Sequence, residues 1–149
     1  MKQDKLTRYT KGLLDFMYYA GIVVIVTLPL TIRLYGKFNS YFAEFYIEMV
    51  LLFAVSGVLA VLILGELRKM FRTVLMDDCF VEENVVSLRR MGNYSFLISL
   101  VTLGRMILYV TPAVMIVILV FLIAGLFSKV LSRVFERAIA YKVENDLTI

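Results

Sequence analysis

The side chains that most often do chemistry are scarce in this sequence. It has no histidine, so the commonest general base and the commonest metal ligand are both missing. Its one cysteine, Cys79, excludes an intrachain disulfide. Without a histidine partner Cys79 reads as a small interfacial residue rather than a nucleophile. Glu82 and Glu83 resemble the start of a Glu-Glu-x-x-x-Arg site, but Ser87 stands where the arginine is needed. No catalytic residue, metal ligand or cofactor is therefore assigned, and an intramembrane enzyme is the weakest reading.

What remains is charge inside apolar blocks, where an ionisable group is costly and is by default a functional hypothesis. Arg105 precedes Thr111 by six residues, roughly 9 Å at the helical rise. Glu48 follows Tyr41 by seven residues, roughly 10 Å in from the same side. The matched depths predict an Arg105–Glu48 pair, with Glu44 as the alternative partner. Such a pair would either lock two hairpins together or line a polar cavity. Asp15 and Glu66 lie near the opposite surface, each within reach of basic neighbours such as Lys11 and Lys69.

These charges must be positioned by membrane helices. The chain has 149 residues, 61% hydrophobic and 19% charged, more apolar than a soluble domain of this size. The apolar residues come in long blocks, which marks membrane spans. Spans are predicted at about 13–34, 42–67, 94–109 and 112–127. Gly36, Asn39 and Ser40 make the first turn, flanked by Tyr35, Tyr41 and Tyr46 as an interfacial aromatic belt. Pro29 is expected to kink span one, and Gly12, Gly21, Ser56 and Gly57 to allow close helix approach. The join before Pro112 is so short that the last two spans must form a tight hairpin.

Residues 68–93 form a link. Its first part continues span two as a helix, and Asp77 and Asp78 break it. A second helix starts near Phe80, with Asp78 or Asn84 as the expected cap and apolar Val81, Val85, Leu88 and Met91 at helical period. After span four, residues 128–149 stay helical to about Glu144, with Leu131, Val134, Phe135, Ala138 and Ile139 as an apolar stripe. Segments starting at Lys69 and Lys129 echo each other weakly, as an internal duplication would.

The net charge of +4 is best explained by topology rather than by nucleic acid. Lys2, Lys5, Arg8 and Lys11 flank the N-terminus; Arg68, Lys69, Arg72, Arg89 and Arg90 occupy the link; Lys129, Arg133, Arg137 and Lys142 follow span four. Only Arg33 and Lys37 lie on the other side. The fold class that follows is all-α and integral to the membrane, a single domain over 1–149. It has four transmembrane helices as two antiparallel hairpins, with cytoplasmic helical extensions after spans two and four and both termini cytoplasmic.

Phe80, Glu83 and Asn84, followed by Leu88 and Arg89, make a Phe-x-x-Glu-Asn…Leu-Arg pattern, and the chain closes on Glu-Asn-Asp-Leu-Thr-Ile from Glu144. In these motifs, in length and in its four spans the sequence resembles the bacterial membrane family of domain of unknown function 2975. Cys79 departs from the proline usual before that phenylalanine. The resemblance implies a bacterial or archaeal inner-membrane protein, often encoded beside a small helix-turn-helix regulator, and no known reaction.

An acidic helix C-terminus is disfavoured by the helix dipole. Glu144, Asn145 and Asp146 should therefore meet positive charge, for which Arg89 and Arg90 are the expected partners, with the final residues as a strand against the Phe80 helix. The resulting platform would dock a soluble cytoplasmic protein, a small helix-turn-helix regulator being the candidate. The second expectation is an oligomeric channel, transporter or immunity-type protein using Arg105, Glu44 and Glu48. The partners expected are thus the lipid bilayer, a soluble protein and further copies of the chain, with no direct nucleic acid contact.

Overall fold

Long apolar runs with few backbone breakers favour long helices. The computed structural model describes residues 5–76, 78–108 and 110–148, and its ordered elements are all helices. They are α1 (Lys5–Tyr35), the short α2 (Ser40–Glu44), α3 (Tyr46–Leu75), α4 (Glu82–Leu108) and α5 (Pro112–Thr148). Lys2, Asp77, Tyr109, Ile149 and the Tyr41 side chain lie outside the described residues.

Helices α1, α3 and α5 are long and apolar enough to cross a membrane. The protein is a helical membrane protein, and its four long helices pair as two antiparallel hairpins, α1 with α3 and α4 with α5. The 37 residues of α5 would span about 55 Å, against about 30 Å of bilayer hydrocarbon, so a long part of it must leave the membrane. Helix α4 is the least apolar of the four, yet it is the most buried. Asn84, Ser87, Ser95, Ser99 and Thr102 all face its neighbours alongside Val85, Leu88, Met91 and Ile98.

The hairpins are held by close backbone approach. A Cβ on Gly21 would lie 2.9 Å from a Val61 methyl, and one on Gly57 would lie 2.9 Å from Ile25. In α5, a Cβ on Gly125 would lie 2.6 Å from the Phe96 ring, so only glycine lets α4 in this close. The Ser99 hydroxyl donates across the same interface to the Ile118 carbonyl at 3.1 Å. At the turn end of α1 and α3, Leu28, Ile32 and Met49 form a small core, and the Tyr46 hydroxyl donates to the Pro29 carbonyl at 3.0 Å.

The packing order is α1, α3, α4, α5. Helix α1 packs on α3 and α5 on α4, and among the described residues α1 and α5 do not pack on each other. The layer is therefore left open along one side.

Several expectations need correction. Span two does not start as one helix: Phe45 leaves the helical conformation and separates α2 from α3. Helix α4 starts at Glu82, later than expected, and α5 runs on to Thr148, so residues 146–148 of the expected strand are helical. Gly12 faces open space instead of a neighbour.

Candidate functional site

Two places concentrate charge and shape: the end of the bundle that carries the N-terminus, the α3–α4 link and the C-terminal half of α5, and a cleft within the apolar part.

At the first, each helix is tied to the next. Asp15 on α1 accepts from Lys11 at 3.0 Å and from Arg68 of α3 at 2.6 Å. The Arg68 guanidinium also sits over the rings of Tyr18 and Tyr19, at 4.5 and 5.2 Å from their centroids. Glu66 on α3 is buried, with Lys69 at 3.7 Å and Arg90 of α4 at 3.5 Å. Farther out, Arg89 pairs with Glu136 of α5, and the Lys129 amine donates to the Asn93 side chain at 2.6 Å. Lys142 reaches back to Asp78 at 3.2 Å, and the Phe80 ring meets Phe135 edge-on at 5.1 Å between centroids.

Asn84 is the hinge pin of this end. It is 1% exposed, and its amide donates to Thr73 Oγ1 at 2.7 Å and to the Cys79 carbonyl at 2.6 Å. It therefore fastens the link to the last turns of α3. The expected capping role is corrected: the Asn84 side chain donates, whereas a helix N-cap must accept. Asp78 does not cap α4 either, because its carboxylate takes Lys142.

Arg89 and Arg90 do not meet the acidic end of α5 as expected. They are taken by Glu136 and Glu66, because α5 continues as helix and carries Glu144 and Asp146 past them. Glu144 and Asn145 instead line an open groove with Phe80, Ala138, Tyr141 and Lys142. Glu83 is exposed beside the link, in a second hollow with Lys69, Arg72 and Arg90.

The second place is an apolar cleft of about 380 Å³ on the open side of the layer. Leu28 and Ile25 of α1, Phe53 and Leu64 of α3, and Val117 and Phe121 of α5 are among its walls. Arg105 closes it in the last turn of α4, where the helix dipole favours a cation. Its guanidinium carbon lies 4.4 Å from the Phe53 ring centroid, and its buried Nε makes no hydrogen bond among the described residues.

The predicted Arg105–Glu48 pair is not formed, nor is one with Glu44: among the described residues Arg105 has no ion-pair partner, and both glutamates are exposed. Glu48 stands five residues before Phe53, about 140° away around α3, so matched depth comes with opposed facing. Among the described residues, no group of His, Cys, Asp and Glu has the geometry to hold a metal ion.

Residues 33–149 match the family described as protein of unknown function DUF2975, well over half of the chain. The chain belongs to this family. No curated protein and no solved structure matches it. The DUF2975 match includes the whole of α2, α3, α4 and α5 but leaves out most of α1, so Asp15, Ile25 and Leu28 lie outside it.

Four cross-helix pairs of this DUF2975 chain lie beyond what the sequence pattern predicts: Arg68 to Asp15, Arg90 to Glu66, Arg89 to Glu136 and Lys129 to Asn93. Each joins residues far apart in sequence, and the signal the sequence offers is that all of them lie in or next to the basic flanks of the apolar blocks.

Proposed function

We propose that this protein is a non-enzymatic membrane regulatory or interaction protein whose basic end faces the cytoplasm and docks a soluble protein. Four spans, with α4 crossing between α3 and α5, and both termini inside would follow from the distribution of Lys and Arg. The observation that carries the reading is an exposed apolar surface on a fastened scaffold. Tyr141 is exposed in the groove at Phe80, and Val143 and Leu147 are exposed on another face of the same end of α5, a stretch that the length of the helix would carry out of the bilayer. The scaffold below is held by Asn84, by the Arg89–Glu136 pair and by the Lys142–Asp78 pair. A partner would meet a surface whose ordering cost is already met by the fold. A small helix-turn-helix regulator is the candidate partner, on the family resemblance.

The test is photo-crosslinking in native bacterial membranes from position 141, with exposed Phe38 at the opposite end as the control site. A soluble protein crosslinked from 141, not from 38, and lost on deletion of residues 140–149 would support docking. Crosslinks only to lipid, or identical ones from both positions, would refute it. The channel, transporter or immunity-type reading draws less support, because Glu44 and Glu48 are exposed and stand apart from Arg105.

A further inference from the structure

The layer of helices leaves one contact unmade. A closed four-helix bundle would bring α5 back onto α1, and among the described residues they do not pack together. The cleft lies in the resulting gap, floored by α3 and α4. In a membrane such a gap does not stay empty, and its shape and charge narrow the occupant.

Its length is set by α3. Leu52 and Leu64 mark its two ends, twelve residues apart, about 18 Å at the helical rise. One leaflet contributes about 15 Å to the hydrocarbon core. The cleft is thus about as long as one leaflet is thick, and its Arg105 end lies on the side of the α4–α5 turn. Its side chains are almost all apolar: Ser56, Thr102 and Arg105 are the polar ones among its lining residues, and no acidic residue is among them. Arg105 sits at that end, within the last turn of α4. It is steadied by the Phe53 ring, and among the described residues the Nε atom has no acceptor. A cation without an acidic partner, at the mouth of an acyl-sized groove, is complementary to an anionic headgroup carrying a hydrocarbon chain. The planar guanidinium fork matches a phosphate in two contacts.

We propose that the cleft binds one anionic phospholipid of the leaflet facing the α4–α5 turn, its acyl chain lying along α3 and its phosphate held by Arg105. The site is independent of the docking surface at the other end of the helices, so either can fail without the other.

The test is the lipid retained by full-length protein extracted from bilayers of mixed phosphatidylglycerol and phosphatidylcholine with identical chains, read by native mass spectrometry. Wild type should retain phosphatidylglycerol above its bulk share. Arg105→Gln, which removes the charge from the headgroup contact, should lower that preference about tenfold. Arg105→Lys, which keeps the charge, should hold part of the preference and serves as the check if the glutamine variant does not fold. Ala60→Phe, which places a ring in the cleft, should lower the number of retained lipids without reversing the headgroup preference. Equal retention of the two lipids by wild type would overturn the proposal, as would an unchanged preference in Arg105→Gln. A dimer whose interface covers the cleft would overturn it too.

Discussion

Asn84→Asp should damage this protein more than Asn84→Ala, although aspartate is the closer match in shape. The reason is the direction of the hydrogen bonds. The Thr73 hydroxyl spends its proton on the Met70 carbonyl at 2.6 Å, so towards Asn84 it can only accept. The Cys79 carbonyl can only accept as well. The Asn84 amide satisfies both with its two N–H groups, in a site that is 1% exposed. Alanine removes two bonds worth about 1 kcal/mol each and leaves a carbonyl short of a donor, a loss of about 2–3 kcal/mol. For a chain of this length that corresponds to a melting point lower by roughly 5–10 °C. Aspartate loses the same bonds and adds a buried charge facing two acceptors, so its loss should be larger still. Thermal unfolding followed by far-UV circular dichroism in one detergent would rank the three proteins. If Asn84→Asp melts with wild type, or above Asn84→Ala, then the donor reading of Asn84 is wrong.

Arg90→Ala should destabilise more than Arg89→Ala in the same assay, because Arg90 faces the buried Glu66 whereas the Arg89–Glu136 pair is largely exposed and worth at most about 1 kcal/mol. Gly125→Ala should loosen the α4–α5 hairpin, since its new methyl would meet the Phe96 ring; the control Gly12→Ala, facing open space, should leave resistance to denaturing detergent unchanged. Asp15→Asn should lower the melting point through weaker bonds to Lys11 and Arg68, and a double-mutant cycle with Arg68→Gln should show the two losses to be less than additive.

Much of this architecture was legible because one-dimensional patterns control it. Apolar block length gave the long helices, and period 3.6 placed Val85, Leu88 and Met91 on the packed face of α4. Small residues marked the close crossing of Gly21 and Gly57. The Lys11–Asp15 and Lys69–Glu66 contacts were within reach because one helical turn separates their partners. The site charges were harder. Counting residues gives depth in the membrane, and Arg105 and Glu48 do match in depth. It does not give the rotation of α3 relative to α4, which is fixed by side-chain packing between segments distant in sequence. That rotation turns Phe53 rather than Glu48 towards Arg105. The same gap hid Arg68 from Asp15 and sent Arg90 to Glu66 rather than to the end of α5.

The rotation of α4 also explains why hydropathy alone understates it. A helix that faces lipid must be apolar outside, whereas a helix covered by neighbours need only satisfy its polar groups. Helix α4 is packed by α3 on one side and α5 on the other. Its serines and threonine point into those contacts, where Ser99 finds the Ile118 carbonyl and Thr102 returns to the Ile98 carbonyl at 2.7 Å. Small polar side chains let the helices approach, and larger apolar ones would hold them apart. The modest apolarity of α4 is therefore a consequence of its central place. Because Asn84 sits near one end of this helix and Arg105 near the other, the link and the cleft are both set by the packing of α4. A substitution that shifts α4 against α5, such as Gly125→Ala, should disturb Asn84-dependent stability and Arg105-dependent lipid retention together, whereas Arg105→Gln should disturb the second alone.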